Sequence, residues 1–372
     1  MTARSSVTLR GDAPRFGVEE EYLLLDSETG LPRDGADELI AELPGLRAEH
    51  EFFHSQLETA TPVCGTAAEA FDSLREFRSA ASAAAARHGL VLAGTGLPPI
   101  GATEPGRVTD NPRYGRIQTE MREMVKRYYS TGTHVHIEVP SRDAGVDVFP
   151  RIARWSPVLV ALTANSPIWL GADSGYASWR YLQLQQWSSS GYPPRFEDAA
   201  EYERIVEGLV RTGALFDKAL VNWSIRLSEK FPTIELRTAD AQLASDDAVA
   251  FALILRALVH HALAEGEAGE QSPAIQPDLL RGAHWVAARN GLGSELADPE
   301  NGESRAAFEL VDELVERIAP SLEATGDLAH VERFVAARRA DGGPAAMQSR
   351  AWREGGIAAV LELYRQGSLA AA

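Results

Sequence analysis

Cysteine is almost absent from this chain, which has Cys64 alone among its 372 residues. A single cysteine excludes an intrachain disulfide and a metal cluster held by several thiolates. Basic residues are also scarce, because 36 lysines and arginines stand against 53 aspartates and glutamates, which gives a formal net charge of −17 at pH 7. This excess of negative charge makes nucleic acid and anionic membrane surfaces poor partners, and neither is expected to bind.

Long apolar stretches are missing as well. The strongest apolar helical run, residues 248–255, is interrupted by Arg256 and is too short to cross a bilayer. Residues 1–14 contain no apolar segment that could act as a signal peptide. We therefore expect a cytoplasmic protein without a membrane partner. Apolar residues still make up 45% of the chain, which is ordinary for a globular protein with a substantial core.

The order of extended and helical patterns predicts the fold class. Extended segments are predicted at 16–26, 52–63, 90–93, 131–139, 221–228 and 233–238. Helices are predicted after the Thr66–Glu69 capping box, between residue 139 and residue 164, and over 246–265, 277–290, 304–318, 328–340 and 347–365. Strands followed by a helical C-terminal part indicate an α+β fold with one layered sheet. We expect a flexible tail over residues 1–14 and a single domain over 15–372, with its helical portion at about 277–366.

Five of the extended segments place ionisable or strongly polar side chains on one face. Side chains alternate along a strand, so residues two apart share a face. The opposite face is mainly apolar, as expected of a sheet that helices cover on one side. The polar sets are Glu19 and Glu21; His54, Gln56 and Glu58; His134, His136 and Glu138; Asn222, Ser224, Arg226 and Ser228; and Glu235 and Arg237.

Taken singly, each polar pair fits a solvated sheet face. Taken together, they favour a functional face, because solvated faces usually carry Thr, Lys and Ser rather than repeated Glu-x-Glu, His-x-His and Glu-x-Arg patterns. Glu20 points toward the helix-covered side, and the pattern predicts no role for it.

The residue types on this face indicate metal and phosphate binding. Neighbouring carboxylates repel each other, and a cation between them removes that repulsion. Mg²⁺ and Mn²⁺ prefer oxygen ligands, with an occasional imidazole for Mn²⁺, whereas arginine matches phosphate oxygens. The candidate metal ligands are Glu19, Glu21, Glu58, His134 and Glu235, and the candidate phosphate ligands are Arg226 and Arg237. This set predicts a nucleotide site for phosphoryl transfer without a covalent nucleophile.

Seven stretches spread over about residues 15–292 carry a family resemblance. They are FGVEEEYLLLD (16–26), QLETATPVC (56–64), GTHVHIEVP (132–140), ANSPIWLG (164–171), WRYLQLQQW (179–187), TIELRTADAQ (233–242) and WVAARNGL (285–292). In this order they resemble the bacterial type-2 glutamate–cysteine ligase family, also called carboxylate–amine ligases, within the glutamine synthetase superfamily. The resemblance implies a curved antiparallel sheet that forms a funnel, with ATP entering one end and a carboxylate substrate the other.

The resemblance also implies a role for each polar position. The metal ligands would be Glu19, Glu21, Glu58, His134 and Glu235, with Glu51 as the alternative to Glu58. Arg237 would contact the γ-phosphate of the nucleotide, Arg226 would bind phosphate, and His136 would face the nucleotide or the substrate. These last three are the candidate catalytic residues.

The implied reaction has two steps. ATP converts a carboxylate, here the γ-carboxylate of glutamate, into an acyl phosphate, and cysteine or another amine then forms the amide. The implied cofactors are ATP and Mg²⁺ or Mn²⁺, and the partners are small molecules. Outside the strands, Arg180 and Trp179 are candidates for substrate binding. Arg289, one helical turn from Trp285, is a candidate for nucleotide binding, although packing explains these residues equally well.

Three alternatives stay open. A zinc hydrolase could use His134 and His136, but it would leave the glutamate and arginine pairs unexplained. A non-catalytic relative could keep the fold. A ligase of the same superfamily could use another acid or amine, because fold and site would look the same. The oligomeric state is also open, with a homo-oligomer as one alternative.

Overall fold

The computed structural model describes residues 12–102 and 104–369. The predicted tail, residues 1–14, lies almost entirely outside this part of the chain and stays a prediction. The strands are β1 (Phe16–Asp26), β2 (Glu49–His50), β3 (Gln56–Ala60), β4 (Leu90–Ala93), β5 (Gly132–Glu138), β6 (Ile168–Trp169), β7 (Ala172–Asp173), β8 (Ile225–Leu227), β9 (Thr233–Asp240), β10 (Glu295–Ala297) and β11 (Ser304–Ala306). The α-helices are α1 (Ala36–Ala41), α2 (Ala67–Arg87), α3 (Pro112–Met121), α4 (Arg142–Ile152), α5 (Ser156–Thr163), α6 (Trp179–Leu184), α7 (Ala199–Arg211), α8 (Ser245–Glu267), α9 (Pro277–Asn290), α10 (Ala307–Thr325), α11 (Leu328–Asp341) and α12 (Gly343–Leu369).

β1 belongs to a seven-stranded antiparallel sheet. Six strands follow the order β2–β3–β1–β5–β9–β8, and β4 pairs with the end of β1. The 11 residues of β1 are enough to pair with three neighbours. Residues 16–20 pair with β5, residues 19–23 with β3 and residues 23–26 with β4. The α+β prediction is confirmed, and the predicted polar segments belong to one sheet.

Helix α8 is the central core helix and packs against β1 and β5. By length and composition this 23-residue helix could cross a membrane, but 89% of its most apolar 18-residue window is buried inside the protein. The helix continues through Arg256, whose guanidinium binds Asp327 and donates to the Gly65 carbonyl at 2.7 Å. The predicted helix over 246–265 is therefore confirmed as α8, and Arg256 interrupts only the apolar run, because a buried arginine with partners does not end a core helix.

Glu20, for which the sequence predicted no role, forms a buried ion pair with Arg78 of α2, and both side chains are 1% exposed. The Tyr22 hydroxyl donates to Glu20 and accepts from Arg78 Nε at 3.0 Å. The guanidinium also donates to the carbonyls of Leu243 at 2.8 Å and Gln242 at 3.0 Å. These contacts join β1, α2 and the segment after β9 on the helix-covered side, where a buried charge needs such partners.

The predicted capping box at the start of α2 is confirmed, and a glycine follows the end of the helix. Thr66 Oγ1 accepts from the Glu69 amide at 3.3 Å, and Glu69 Oε2 accepts from the Thr66 amide at 3.1 Å, which is the predicted capping box. Gly89 follows the helix with a φ of 66°, which a residue without a β-carbon adopts without strain.

Three predicted boundaries differ from the structure. Within the predicted segment 52–63 the strand is only β3, and within 221–228 it is only β8, because backbone pairing with the neighbouring strands covers no more. The prediction of a wholly helical segment 304–318 was wrong. Ser304–Ala306 pairs with β10 as strand β11, and α10 begins at Ala307.

Candidate active site

Cross-strand register brings most of the predicted metal and phosphate ligands together. Side chains directly opposite on antiparallel strands lie about 5 Å apart, so opposed residues contact each other. The opposed pairs are Glu19–His134, Glu21–Glu58, His136–Glu235 and Arg226–Glu235. The residues of these four pairs lie on the same side of the sheet, and we call this surface the ionisable face.

Glu19 lies between the two imidazoles of β5. Its Oε2 is 3.8 Å from His134 Nδ1, and its Oε1 is 3.3 Å from His136 Nε2. Burial alone would raise the pKa of the Glu19 carboxyl, but the two neighbouring imidazoles outweigh it and hold that pKa well below its usual range. Thr233 Oγ1 lies 2.9 Å from His136 Nδ1 and orients that ring. Glu19 is therefore ionised at neutral pH and can bind a cation.

Glu235 holds two arginines. Arg226 Nε lies 2.7 Å from Glu235 Oε2 and Arg226 Nη2 lies 3.1 Å from Oε1, so the pair has two contacts. Arg237 Nη1 also contacts Glu235 Oε1. Burial alone would raise the pKa of Glu235, but the charges of Arg237 and Arg226 outweigh it and hold that pKa well below the ordinary range.

The two arginines differ in how many of their N–H donors have an acceptor among the described residues. Arg226 Nη1 donates to the carbonyls of Ala219 at 2.8 Å and Val221 at 2.9 Å, so four of its five N–H groups have protein acceptors. Within the described residues, Arg237 donates only through Nη1 to Glu235. Arg237 thus retains donors for an anionic ligand. Arg226 has one N–H group left for its predicted contact with phosphate.

Glu19, His134 and Glu235 form a group that could hold a cation. One ligand atom from each lies within 4.8 Å of the other two. Two carboxylates and one imidazole are a donor set that suits Mn²⁺ or Mg²⁺. Although both oxygens of Glu235 accept from arginines, a carboxylate has about four lone-pair sites, so Glu235 can still bind an ion.

A second carboxylate group, Glu21, Glu51 and Glu58, lies beside the first. Burial raises the pKa of all three, and repulsion from neighbouring carboxylates raises that of Glu58 furthest. Tyr114 donates to Glu51 Oε2 at 3.4 Å, and the Gly132 amide donates to Glu21 Oε2 at 2.7 Å. A cation would relieve that repulsion.

The structure brings Glu51 and Glu58 to the same group, so the two sequence alternatives do not exclude each other. Sequence reasoning missed Tyr114 and Thr233. Thr233 could have been found, because it shares the face of Glu235 by simple alternation. Tyr114 lies on α3, and no pattern in the sequence connects that helix with the sheet.

Arg180, a predicted substrate ligand, is 3% exposed near the start of α6. Its Nε donates to Ser130 Oγ at 2.9 Å, and its Nη1 donates to the Ala239 carbonyl at 3.0 Å. Nη1 also lies 3.7 Å from Asp240 Oδ1. These contacts hold the end of β9 in place, and substrate binding by Arg180 stays a prediction.

Trp179 and Arg289, the other two predicted ligands, have contacts with residues outside the ionisable face. Trp179 packs edge-on against Tyr176, with ring centroids 5.2 Å apart, and Tyr176 packs in turn against Trp285. Arg289 donates to Asn290 and lines a cavity of about 260 Å³ that none of the predicted metal or phosphate ligands on the sheet lines. These contacts do not connect Arg289 with the ionisable face, and its nucleotide role stays a prediction.

A cavity of about 560 Å³ also lies away from the ionisable face, since none of the predicted metal ligands lines it. Tyr181 and Tyr192 in its wall stack on His284 of α9, with ring centroids 5.7 and 6.1 Å apart. Its volume alone does not make it the candidate active site, because none of the predicted metal and phosphate ligands lies in its wall.

The zinc-hydrolase alternative needs both imidazoles of β5 on one ion. In the structure, His134 joins two carboxylates in the group described above. His136 contacts Thr233 through Nδ1 and Glu19 through Nε2. This arrangement favours an ion held mainly by carboxylates over a two-histidine zinc site.

Sequence comparisons show the family to which the chain is related. The profile of glutamate–cysteine ligase family 2 matches residues 15–362. A protein of Salinispora arenicola that carries the provisional name glutamate–cysteine ligase 2 is 39% identical over 338 residues, which cover 90% of this chain and 89% of the relative. A protein of Mycobacterium sp. (strain KMS), provisionally named glutamate–cysteine ligase 2-2, is 40% identical over 365 residues, which cover 96% of this chain and 99% of the relative.

Solved structures share the fold at low sequence identity. A glutamate–cysteine ligase from Francisella tularensis, in complex with AMP, matches with a TM-score of 0.68 and 15% identity over 97% of this chain and 89% of that one. A bifunctional glutathione synthetase from Pasteurella multocida matches with a TM-score of 0.66 and 16% identity over 96% of this chain and 52% of that one. The structural likeness shows the fold, and the match of profile and relatives along the chain shows the family. The chain belongs to glutamate–cysteine ligase family 2.

Proposed function

We propose that this protein is an ATP-dependent ligase that joins a carboxylate to an amine through an acyl phosphate. The observation that carries the proposal is the placement of Glu19, His134 and Glu235 beside Arg237, an arginine with unused donors. A polyphosphate needs both cations and guanidinium donors, because its oxygens carry several negative charges. Membership of the family supports ligase activity.

In the first step, an oxygen of the substrate carboxylate attacks the γ-phosphorus of ATP. The bond between that phosphorus and the bridging oxygen breaks, and ADP leaves. In the second step, the amine nitrogen attacks the acyl carbon, phosphate leaves, and the nitrogen loses a proton to give the amide. Arg237 stabilises charge on the transferring phosphoryl group, and Glu235 holds Arg237 in position for this contact.

Two groups on the ionisable face would hold Mg²⁺ or Mn²⁺. The first comprises Glu19, His134 and Glu235, and the second comprises the carboxylates of Glu21, Glu51 and Glu58. When bound, such ions neutralise phosphate charge. His136, oriented by Thr233, contributes an imidazole that contacts nucleotide or substrate.

Glutamate and cysteine are the proposed substrates, and their support comes from the names of the relatives. Attack on the γ-carboxylate of glutamate would give a γ-glutamyl amide. Arg180 and Trp179 remain the candidates for substrate contact, and Arg289 remains a candidate for nucleotide contact. Another amine would fit the same chemistry, because the ionisable face acts on phosphate and carboxylate rather than on the acceptor.

Release of ADP by the purified protein tests this function. The protein is incubated with ATP, Mg²⁺ and L-glutamate, with and without a panel of amines that includes L-cysteine, and products are identified by mass spectrometry. We expect at least one amine to stimulate ADP release and to yield one amide for each ADP. Nucleotide binding without ADP release would favour a different acid or a non-catalytic relative. Absence of nucleotide binding would overturn the proposal, and tightly held zinc that is lost in His134→Gln, without ATP dependence, would favour the hydrolase.

A further inference from the structure

Two histidines outside the ionisable face converge on an aspartate near the edge of the sheet. Asp37 lies in the first turn of α1, His50 ends β2, and His54 lies in the turn before β3. His50 Nε2 is 3.2 Å from Asp37 Oδ1, and His54 Nδ1 is 3.1 Å from Asp37 Oδ2. One ligand atom from each residue lies within 4.8 Å of the other two.

The protein itself holds these imidazoles in place. His54 is 5% exposed. Its carbonyl accepts from the amides of Gly35 at 3.1 Å and Ala36 at 3.0 Å, and its own amide donates to the Arg107 carbonyl at 3.0 Å. The Nδ1 atom of His54, which faces Asp37, is buried and has no hydrogen-bond partner among the described residues, whereas His50 faces Asp37 through its other ring nitrogen, Nε2. A buried nitrogen that lies close to a carboxylate without an aligned hydrogen bond is suited to share a cation with it.

The local sequence is H-E-F-F-H over residues 50–54. On a helix this spacing would place both histidines on one face as a zinc pair, with the glutamate as a base. Here the segment is not helical, and the two rings meet edge to face with centroids 5.7 Å apart. Glu51 accepts from Tyr114 and belongs to the second carboxylate group. Asp37, rather than Glu51, therefore completes the histidine pair.

We propose that Asp37, His50 and His54 bind one divalent ion of the Zn²⁺ class, with water completing its coordination. Two imidazoles and a carboxylate favour Zn²⁺ over Mg²⁺. Each histidine nitrogen faces a different oxygen of Asp37, at 3.2 Å for His50 and 3.1 Å for His54, and each distance is close to the spacing of about 3.3 Å expected between two ligands about 2.0 Å from a tetrahedral zinc ion. The side chain of Asp37 is 54% exposed, so an ion can enter from solvent.

The bound ion ties α1 to the segment that carries Glu51. It occupies a different site from the cations of the ionisable face, and it requires neither ATP nor ligase activity. Histidine ligands bind zinc in the neutral form, so binding strengthens as protons are removed.

Zinc titration of the full chain tests this site. Metal-free protein is titrated with Zn²⁺ by calorimetry, and Co²⁺ is used as a probe whose visible absorption reports tetrahedral coordination. We expect the wild type to bind one more ion than Asp37→Asn, or to bind it at least about 100-fold more tightly, which exceeds the effect of removing an outer-shell partner. His50→Gln should lose the same ion, together with the Co²⁺ absorption of this site.

Two matched variants separate this site from its surroundings. Glu38→Gln changes the exposed neighbour of Asp37 on α1, and it should bind zinc as the wild type does. Glu235→Gln changes the ionisable face, and it should retain the ion at Asp37. Circular dichroism in a chelator checks that each variant folds. Unchanged zinc stoichiometry and affinity in folded Asp37→Asn and His50→Gln, or an equal loss in Glu38→Gln, would overturn the proposal.

Discussion

Arg226 and Glu235 form a two-point ion pair across strands β8 and β9, with nitrogen–oxygen distances of 2.7 and 3.1 Å. Arg237, two residues after Glu235 on β9, contacts the same carboxylate. Since Arg226 uses most of its remaining donors on backbone carbonyls, it acts as a support for Glu235. The carboxylate in turn holds Arg237, the arginine with donors available for a ligand.

Replacing Glu235 with glutamine should lower ADP release by about 100-fold or more, as does the loss of a preorganised electrostatic contact. The amide has no charge to hold Arg237 and presents only one oxygen to a cation. Initial rates at saturating ATP measure the effect. Glu138→Gln, an exposed carboxylate on the neighbouring strand β5, is the control and should keep its activity. Near-normal rates in folded Glu235→Gln would remove this residue from the site.

Arg237→Lys should also lower kcat, by about 100-fold. An ammonium keeps the positive charge but cannot contact Glu235 and a phosphate through one planar fork. The measurement is kcat against KM for ATP, with Arg211→Lys as the control, because the Arg211 side chain is 67% exposed. Retained kcat in Arg237→Lys would give Arg237 a structural role only.

Arg78→Met should lower the free energy of unfolding by about 3–5 kcal/mol, because it leaves Glu20 buried and unpaired. The double variant Glu20→Leu with Arg78→Met should lose less, since no buried charge remains. Urea unfolding of both measures the difference. Arg75→Met is the control on the same helix, where the arginine is exposed, and it should change stability by no more than about 0.5 kcal/mol. An equal effect of Arg75→Met and Arg78→Met would contradict the importance of the buried pair.

His284 should make the folded protein less stable in acid. Burial lowers the pKa of His284 from 6.5 to about 4, so below pH 6.5 the unfolded chain takes up a proton that the folded protein refuses. The free energy of unfolding should therefore fall as the pH decreases from 6.5 to 4, by about 3 kcal/mol from this residue alone. His284→Gln should remove this part of the pH dependence. Urea unfolding at several pH values compares the two proteins, and equal slopes in both would show that His284 does not contribute.

The alternation of side chains was enough to predict the ionisable face. In 16–26, 131–139 and 233–238, residues two apart share a face whatever the strand pairs with. The sequence therefore placed Glu19 with Glu21, and Glu235 with Arg237, before any tertiary contact was known. The sequence could not predict that Glu19 belongs to the first group and Glu21 to the second, because this depends on the register between segments far apart in the chain.

Arg180 shows a second limit of sequence reasoning. The sequence proposed Arg180 as a substrate ligand, which stays a prediction, but it could not predict that the fold directs the Nε and Nη1 donors to Ser130 and the end of β9. Burial decides this outcome, because an arginine enclosed by protein must satisfy its donors there. The same principle accounts for Glu20, whose partner Arg78 lies on a helix that the strand pattern could not connect with it.

By itself, the sequence determined the acidic character of the protein, the two faces of its main strands and the capping box of α2. These features depend on composition or on neighbours within a few residues, so local chemistry decides them. Only the tertiary structure decided which arginine keeps donors for a ligand, where Glu20 finds its charge partner, and that Asp37 meets His50 and His54. Those relationships require segments from distant parts of the chain to pack at one register, and only the packed core specifies that register.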